Sequence, residues 1–167
     1  MPERVGYLGL GSNVGDSEGH LRAALQLLPT HGVQVIAVSS TYVTEPVGEI
    51  LDQPDFLNAA VRIRTGLEPE RLLDACKAVE AERGRQFDLP RHSPRPLDVD
   101  LLLLDQVELV TDRLTLPHPQ VRNRRFVLAP LLELDPSLTL PDGTVLADAL
   151  AALPEDEQRA ERRGPLT

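Results

Sequence analysis

Two aspartates one residue apart, Asp98 and Asp100, are the residues whose type and spacing most directly suggest chemistry. They begin an apolar segment, with leucines at 101–104, that predicts a β-strand. Because alternate side chains of a strand share a face, the two carboxylates are expected about 6.5–7 Å apart on one side. Such carboxylates repel each other, and a hard divalent cation such as Mg²⁺ relieves the repulsion. An amphipathic strand with both aspartates in solvent is the alternative.

Two groups of arginines flank this strand. Their members are Arg83, Arg85, Arg91 and Arg95 in the first group, and Arg113, Arg122, Arg124 and Arg125 in the second. Each group also contains a histidine, His92 or His118. Guanidinium groups bind phosphate oxygens in pairs, so the clusters favour a polyphosphate ligand beside the aspartates. Two solvated basic loops are the alternative.

Length, composition and net charge limit the classes of protein to which the chain can belong. At 167 residues we expect one domain over 1–153 and a charged tail over 154–167 that frays. No apolar run approaches the length of a membrane span, and the N-terminus lacks an apolar leader, so we expect no membrane partner. The single Cys76 cannot form an internal disulfide, and a cytoplasmic location is the default. The net charge of −9 argues against a nucleic-acid partner.

The apolar periodicity predicts the order strand, helix, strand, strand, helix, strand. The corresponding segments are 4–10, a helix capped by Asp16 or Ser17, 33–43, 56–64, a helix from Pro69 to Gly84, and 98–104. The additions are a strand at 107–110 that we expect to pair with 98–104 as a short hairpin, a helix at 126–134 that Pro130 kinks or delays, and a short helix at 145–153. This order predicts an α+β fold of the ferredoxin-like type, an antiparallel sheet with both long helices on one face and a C-terminal helical and hairpin addition. Loops 44–55 and 85–95 would then border a common cleft.

The segment 91–101, Arg-His-Ser-Pro-Arg-Pro-Leu-Asp-Val-Asp-Leu, closely resembles the signature of the 6-hydroxymethyl-7,8-dihydropterin pyrophosphokinase family. Further motifs in the family's order are Gly11-Ser12-Asn13, Thr44-x-Pro46, 52–59, Leu116-Pro117-His118 and Asn123-Arg124-x-Phe126. The resemblance implies the ferredoxin-like fold and transfer of a diphosphate from ATP to the pterin hydroxymethyl group, releasing AMP, in tetrahydrofolate biosynthesis. It also implies two Mg²⁺ ions with ATP. We expect a monomer whose partners are ATP and the pterin.

The resemblance implies a role for individual positions. Asp98 and Asp100 would hold the metal, and with Arg85 and Arg95 they would be catalytic. The ATP-binding positions would be Lys77, Glu80, Arg85, Arg95, Arg113, Thr115, His118 and Arg124. The pterin-binding positions would be Thr44, Glu45, Val47, Phe56, Asn58 and Phe126. A flat aromatic ligand needs stacking rings and a polar group that reads its edge, which suits Phe56, Phe126 and Asn58.

Several alternatives stay open at this point. The two phenylalanines could be ordinary core, and Lys77 with Glu80 could be a surface ion pair at helical spacing. Another metal-dependent nucleotidyl or phosphoryl transferase would also use paired aspartates, and a non-catalytic ligand-binding module could share the fold. For the transferase we further predict that loops 44–55 and 85–95 close over bound ATP, since phosphoryl transfer favours exclusion of water.

Overall fold

The computed structural model of the protein describes residues 3–44, 55–84, 96–154 and 160–166. In chain order the elements are β1 (Arg4–Ser12), α1 (Ser17–Leu27), a short 3-10 helix (Leu28–His31), β2 (Gln34–Val38), β3 (Ser40–Thr44), β4 (Phe56–Thr65), α2 (Pro69–Glu82), β5 (Asp98–Leu104), β6 (Leu109–Val110), β7 (Thr115–Leu116), α3 (Arg125–Leu134), α4 (Leu146–Ala151) and β8 (Ala160–Pro165). Within these ranges no helix is both long enough and apolar enough to cross a membrane.

One antiparallel sheet organises the molecule. Its strands follow the order β5-β1-β4-β3-β8, and β2 pairs with β4 further along the edge that β3 also uses. Taken together, β2 and β3 act as one strand in two pieces, which gives the strand order of the ferredoxin-like fold and confirms the predicted class. The predicted single strand at 33–43 breaks at Ser39, whose hydroxyl accepts a 2.8 Å hydrogen bond from the Ala60 amide.

The two faces of the sheet bury separate apolar clusters. Helices α1 and α2 cover one face over a cluster that includes Leu8, Leu21, Leu72 and Cys76, as predicted for the two long helices. Helix α3 covers the other face together with α4; it begins at Arg125 and continues through Pro130, so the proline does not delay its start. Cys76 is fully buried in the cluster beneath α1 and α2, and this burial raises the pKa of its thiol.

Strand β5 carries a β-bulge in its apolar half. Leu101 pairs with Leu8 and Leu103 pairs with Tyr7, so Leu102 is an extra residue opposite two neighbours on β1. The bulge places both Leu102 and Leu103 in the cluster beneath α3, while Leu104 belongs to the cluster beneath α1 and α2. A bulge of this kind changes which face the following side chains occupy.

Two local predictions are wrong. Residues 107–110 are not a partner of β5, because Leu109–Val110 pairs with Thr115–Leu116 in a separate two-stranded sheet. The tail does not fray over Ala160–Pro165, since this segment pairs with β3 as an added edge strand. Its side chains are mostly exposed, so the pairing depends on backbone hydrogen bonds that an apolar pattern does not report. A domain boundary at residue 153 stays a prediction.

Candidate active site

The two aspartates of β5 face the side of the sheet that α3 covers. Asp98 pairs with Gly11 and Asp100 pairs with Gly9 on β1, and both carboxylates are partly buried. Paired residues of neighbouring strands project from the same face. Ala60, the other neighbour of Gly9, lies in the cluster beneath α3, which fixes the direction of the pair. The predicted sharing of one face by Asp98 and Asp100 therefore fits the observed register.

A row of registered residues connects Asp98 to the predicted pterin side. The row crosses the sheet as Asp98, Gly11, Asn58 and Tyr42. Since strands lie about 4.8 Å apart, Asp98 and Asn58 are about 10 Å apart across the bare Gly11. A Cβ built at Gly11 would come within 3.0 Å of the Asn58 Oδ1 atom. The missing side chain thus leaves a gap between the carboxylates and the amide, which we call the glycine floor.

Three of the predicted pterin residues meet at the far side of the glycine floor. The Asn58 Nδ2 atom donates a 2.7 Å hydrogen bond to Thr44 Oγ1, and both side chains are buried. Phe56 pairs with Thr44 in register, and one ring atom lies 3.8 Å from the Cβ position of Gly11. The donation to Thr44 orients the amide so that its oxygen points toward the floor. The far side of the glycine floor therefore presents the aromatic ring of Phe56 and the Asn58 oxygen as a fixed hydrogen-bond acceptor.

The N-terminus of α3 adds a cation and a second aromatic ring. Arg124 is the N-cap residue of α3, and its guanidinium carbon lies 5.6 Å from the centroid of the Phe126 ring. Burial, and next the charge of Arg124, lower the pKa of His118, while the charge of Asp98 opposes them. Arg124, His118 and Asp98 are therefore close enough to influence one another. The second arginine group contributes at this end of the sheet through Arg124.

His118 is held as a neutral hydrogen-bond donor. Its backbone amide donates to the Leu102 carbonyl at 2.9 Å, on the outer edge of β5. Its Nδ1 atom accepts a 3.1 Å hydrogen bond from the Gln120 amide. A backbone amide can only donate, so the proton of the neutral ring is on Nε2. With its pKa lowered, His118 presents an Nε2–H group at neutral pH.

A cavity of about 260 Å³ lies at the outer edge of β5. Four predicted nucleotide residues line it, namely Lys77 of α2, Thr115 of β7, and Arg113 and His118 from the segments that flank β7. Asp100 forms part of its wall. Leu73 of α2 and Leu101 of β5 supply apolar surface. A pocket with an apolar wall and a few polar groups is typical of a small-molecule site. Asp100 therefore borders this cavity, and Asp98 stands in the row that leads to Asn58.

Arg113, which lines the outer wall of this cavity, forms ion pairs with two residues of α2. Its guanidinium forms an ion pair with Asp74, and its Nη1 lies 3.6 Å from Glu70 Oε1. The hydrogen bond and the charge of Asp74 raise the pKa of Arg113. All three side chains are about half exposed, so the interaction is screened by solvent. Glu70 and Asp74 were not among the predicted residues, although their spacing of four on a predicted helix was a usable signal.

Glu80 takes a different position from the one predicted. It is 1% exposed, and its Oε2 atom accepts a 2.7 Å hydrogen bond from the Val99 amide. Its Oε1 atom lies 3.8 Å from Lys77 Nζ, so the two form an ion pair with a buried acid rather than a surface pair. Glu80 is not among the residues that line the cavity. A helical pattern identifies the buried side of α2, but it does not identify the backbone amide that Glu80 meets.

Four predicted site residues, Glu45, Val47, Arg85 and Arg95, lie outside the described residues. The same holds for most of the two loops that we predict to close over ATP, at 44–55 and 85–95. Their roles therefore stay predictions. The described residues that flank these loops, Thr44 and Gly84, lie at the ends of β3 and α2.

Comparison with known proteins identifies the family. Residues 7–136 match the family model described as 7,8-dihydro-6-hydroxymethylpterin-pyrophosphokinase, HPPK. The chain belongs to this family. It is thus an enzyme of the pyrophosphokinase type, and the family's activity is the ATP-dependent transfer of pyrophosphate to hydroxymethyldihydropterin in folate biosynthesis.

Relatives of this pyrophosphokinase cover most of its length. The 2-amino-4-hydroxy-6-hydroxymethyldihydropteridine pyrophosphokinase of Methylorubrum extorquens is 45% identical over 157 residues, covering 93% of this chain and 98% of the relative. The Bacillus subtilis protein of the same name is 47% identical, covering 78% and 77%. A folate synthesis bifunctional protein of Arabidopsis thaliana is 44% identical, but this chain spans only 26% of its length.

Solved structures share the fold of this pyrophosphokinase. A crystal structure of HPPK-DHPS in complex with substrates has a TM-score of 0.68 at 12% identity, covering 91% of this chain and 43% of that chain. Plasmodium falciparum HPPK-DHPS, as the S436F/A437G/A613S triple mutant with SDX-DHP, gives a TM-score of 0.70 at 14% identity, covering 90% and 44%. The chain therefore spans less than half the length of these bifunctional proteins, and at such low identity the likeness concerns the fold alone.

Proposed function

We propose that ATP binds in the cavity beside β5, that the pterin binds over the glycine floor, and that the diphosphate passes between them at Asp98 and Asp100. The observation that carries the proposal is the row Asp98–Gly11–Asn58, with the cavity on its outer side. The carboxylates of Asp98 and Asp100 thus border both the cavity proposed for ATP and the glycine floor proposed for the pterin. An arrangement that holds two substrates against each other gains much of its rate from proximity and orientation.

The paired aspartates suit a magnesium site that ATP completes. Among the residues that the structure describes, no group of three or more His, Cys, Asp or Glu side chains could hold a metal ion. Mg²⁺ is commonly bound by one or two carboxylates together with substrate phosphates, so the donor set on β5 fits it. We propose two Mg²⁺ ions, which when bound neutralise the triphosphate and align the attack on the β-phosphorus.

Cationic and neutral donors would hold the phosphates. His118 offers Nε2–H, and Arg124 lies near enough to lower its pKa. Lys77, Arg113 and Thr115 line the cavity and are proposed to contact the nucleotide. Arg113 would exchange its partners on α2 for the ligand or approach it from the cavity wall. We propose that Arg85 and Arg95 stabilise charge on the departing AMP, as the resemblance implies.

The pterin would be recognised by hydrogen bonds at its edge and by aromatic stacking on its two faces. The Asn58 oxygen, fixed by donation of the amide to Thr44, offers an acceptor above Gly11. Phe56 and Phe126 are both partly exposed, which suits stacking on an aromatic ligand better than a role in the core. We propose that Glu45 and Val47 complete this side, and that Asp100 accepts or positions the hydroxyl proton of the substrate.

We further propose that the enzyme is a cytoplasmic monomer without a nucleic-acid partner. The net charge of −9 opposes binding to nucleic acids. Strand β8 forms one edge of the sheet and carries Glu161, Arg162, Arg163 and Pro165. Charged residues and proline on an edge strand disfavour pairing with a second sheet.

Formation of AMP from ATP and hydroxymethyldihydropterin tests the proposal in Asp98→Asn and Asp100→Asn. We expect each substitution to lower kcat by at least about 100-fold, as when one group that stabilises transition-state charge is removed. Asp105→Asn is the matched control, because Asp105 follows β5 with φ of 49°, a conformation that asparagine tolerates well. It should keep the activity of the unmodified enzyme.

Other outcomes would contradict specific parts of the proposal. Full turnover by Asp98→Asn with Mg²⁺ would remove the metal role, and full turnover by Asp100→Asn would remove the proton role. Release of pyrophosphate instead of AMP would point to a nucleotidyl transferase. Ligand binding without AMP formation would point to a non-catalytic module.

A further inference from the structure

Glu80 makes a contact with the strand that carries the paired aspartates. Its nearly fully buried carboxylate accepts the 2.7 Å hydrogen bond from the amide of Val99. Val99 is the residue between Asp98 and Asp100. The contact therefore reaches the main chain at the point from which both aspartate side chains diverge. Lys77, one helical turn earlier, lines the cavity instead.

The position of β5 in the sheet makes this contact consequential. Among the strands of the described residues, β5 is the last of the sheet on its side and pairs with β1 alone within that sheet. Alternate amides and carbonyls of an edge strand point away from the sheet and need other partners. Glu80 supplies an acceptor at Val99, and the His118 amide supplies a donor at Leu102. A charged acceptor forms the stronger type of hydrogen bond and comes from a rigid helix.

Glu80 and Asp100 both act on the thiol of Cys76. Burial raises the pKa of the Cys76 thiol, and the negative charges of Glu80 and Asp100 add to this effect. Both carboxylates therefore act on the same buried point, one from α2 and one from β5. Lys77 Nζ, 3.8 Å from Glu80 Oε1, offsets part of this charge.

We propose that Glu80 is a positioning residue, which fixes the Val99 main chain and thereby sets the separation and direction of the Asp98 and Asp100 side chains for cation binding. The inference rests on the proposed function of the two aspartates. In this role Glu80 acts through the backbone of β5 and touches neither substrate. Partners behind the metal ligands often matter nearly as much as the ligands themselves.

Three substitutions separate the effect of the side-chain length of Glu80 from the effect of its charge. Glu80→Gln keeps an oxygen that can accept the Val99 hydrogen bond, Glu80→Asp keeps the charge but is one methylene too short, and Glu80→Ala removes both. Glu82→Gln is the matched control, because Glu82 lies two residues further on α2, is about half exposed and pairs with His31. Thermal unfolding identifies the variants that fold.

The first measurement is hydrogen exchange of the Val99 amide in the full chain without ligands. Exchange should be faster in Glu80→Asp and Glu80→Ala than in Glu80→Gln and Glu82→Gln. The second is the dissociation constant of Mg²⁺ in the presence of α,β-methylene ATP, which we expect to rise about 10-fold in Glu80→Asp and Glu80→Ala. Glu80→Gln should stay within about threefold of the unmodified enzyme. If Glu80→Ala does not fold, Glu80→Asp still provides the test.

Two results would overturn the inference. Unchanged Mg²⁺ dissociation constants in Glu80→Asp, despite faster Val99 exchange, would show that the contact does not position the aspartates. Weaker nucleotide binding without any change in the Mg²⁺ constant would make Glu80 a nucleotide ligand. Failure of the proposed function is seen separately, because Asp98→Asn would then leave the Mg²⁺ constant unchanged.

Discussion

At the scale of single residues, two glycines of β1 have different surroundings. A Cβ at Gly9 would meet the Leu102 side chain at 3.4–3.8 Å, an ordinary packing distance. A Cβ at Gly11 would lie 3.0 Å from Asn58 Oδ1, which is tighter than most packing contacts. Gly9 is thus covered by the core, whereas Gly11 lies beside the fixed amide. A methyl group should therefore disturb the surroundings of Gly11 and be tolerated at Gly9.

We expect Gly11→Ala to raise the KM for the pterin about 10-fold, the effect of one methylene-sized misfit in a binding pocket. The added methyl group would displace the Asn58 oxygen or occupy the glycine floor. The KM for ATP should change little, since the cavity that we propose for ATP lies at the outer edge of β5. Steady-state kinetics with each substrate varied in turn measures the effect.

Gly9→Ala serves as the control for this substitution and should keep both KM values within about twofold. Equal effects of the two alanines on the pterin KM would contradict the assignment of the floor to Gly11. A selective rise in the KM for ATP in Gly11→Ala would contradict it as well.

At the scale of elements, helix α2 is attached near its C-terminal end to both neighbours. Glu80 connects it to β5, and Arg83, its C-cap residue, donates a 3.0 Å hydrogen bond from Nε to His20 Nδ1 on α1. Arginine stays protonated and can only donate, so His20 must be neutral to accept. Burial and then Arg83 lower the pKa of His20, while Asp16 opposes them. This junction immediately precedes loop 85–95, which contains the predicted catalytic residues Arg85 and Arg95.

The His20–Arg83 junction should make the free energy of unfolding depend on pH. The pKa of His20 in the folded state lies below its ordinary value of 6.5, so the folded protein binds fewer protons than the unfolded chain. The stabilisation is therefore complete above pH 6.5 and is lost as the pH falls through the folded pKa. Urea unfolding at several pH values below and above 6.5 measures this loss.

His20→Gln removes the titrating group and keeps a side chain that can accept from Arg83. We expect its free energy of unfolding to fall less on acidification than that of the unmodified protein. If both proteins lose the same free energy over this interval, the junction does not contribute to the pH dependence.

At the scale of the whole molecule, the C-terminal strand β8 extends the sheet beyond β3. β8 runs along β3 from Ser40 to Thr44, and Leu166, which follows it, is 1% exposed in the core beneath α1 and α2. The Leu166 carbonyl accepts a 3.1 Å hydrogen bond from Arg22 of α1. Although the strand's side chains are mostly exposed, its last apolar residue therefore anchors it in the interior.

Leu166→Ala should lower the free energy of unfolding by about 3 kcal/mol, as large-to-small substitutions of buried leucines do. Urea denaturation followed by circular dichroism provides the measurement. Val110→Ala is the control, since Val110 is 82% exposed at the edge of the small sheet. Its effect should be below about 0.5 kcal/mol. A comparable loss in both variants would show that Leu166 does not anchor the strand.

Patterns within one element were readable from the sequence, and pairings between elements were less so. Leu21 and Leu72 reported the buried sides of α1 and α2, Pro69 and Gly84 marked the limits of α2, and the order of elements sufficed for the fold. The small sheet and the strand at 160–165 were missed, because they depend on backbone pairing. Their side chains do not alternate between apolar and polar.

In the candidate site as well, features within one element were predicted and contacts between elements were not. The spacing of Asp98 and Asp100 predicted a shared face, because the period of a strand is a local property. The alignment of Asp98 with Asn58 required the register of three strands, and the contact of Glu80 with Val99 required the packing of α2 on β5. Local patterns in the sequence therefore indicate the residue types of the site but not their mutual arrangement.

The bulge at Leu102 has a consequence for insertions and deletions. In a regular strand, loss of one residue turns every side chain beyond it to the opposite face. Here Leu101 and Leu103 already pair with the adjacent Leu8 and Tyr7, and Leu102 has no partner of its own on β1. A chain without Leu102 would continue the ladder and leave both aspartates facing α3. Leu102 therefore separates the acidic half of the strand from its apolar half without occupying a position of the ladder with β1.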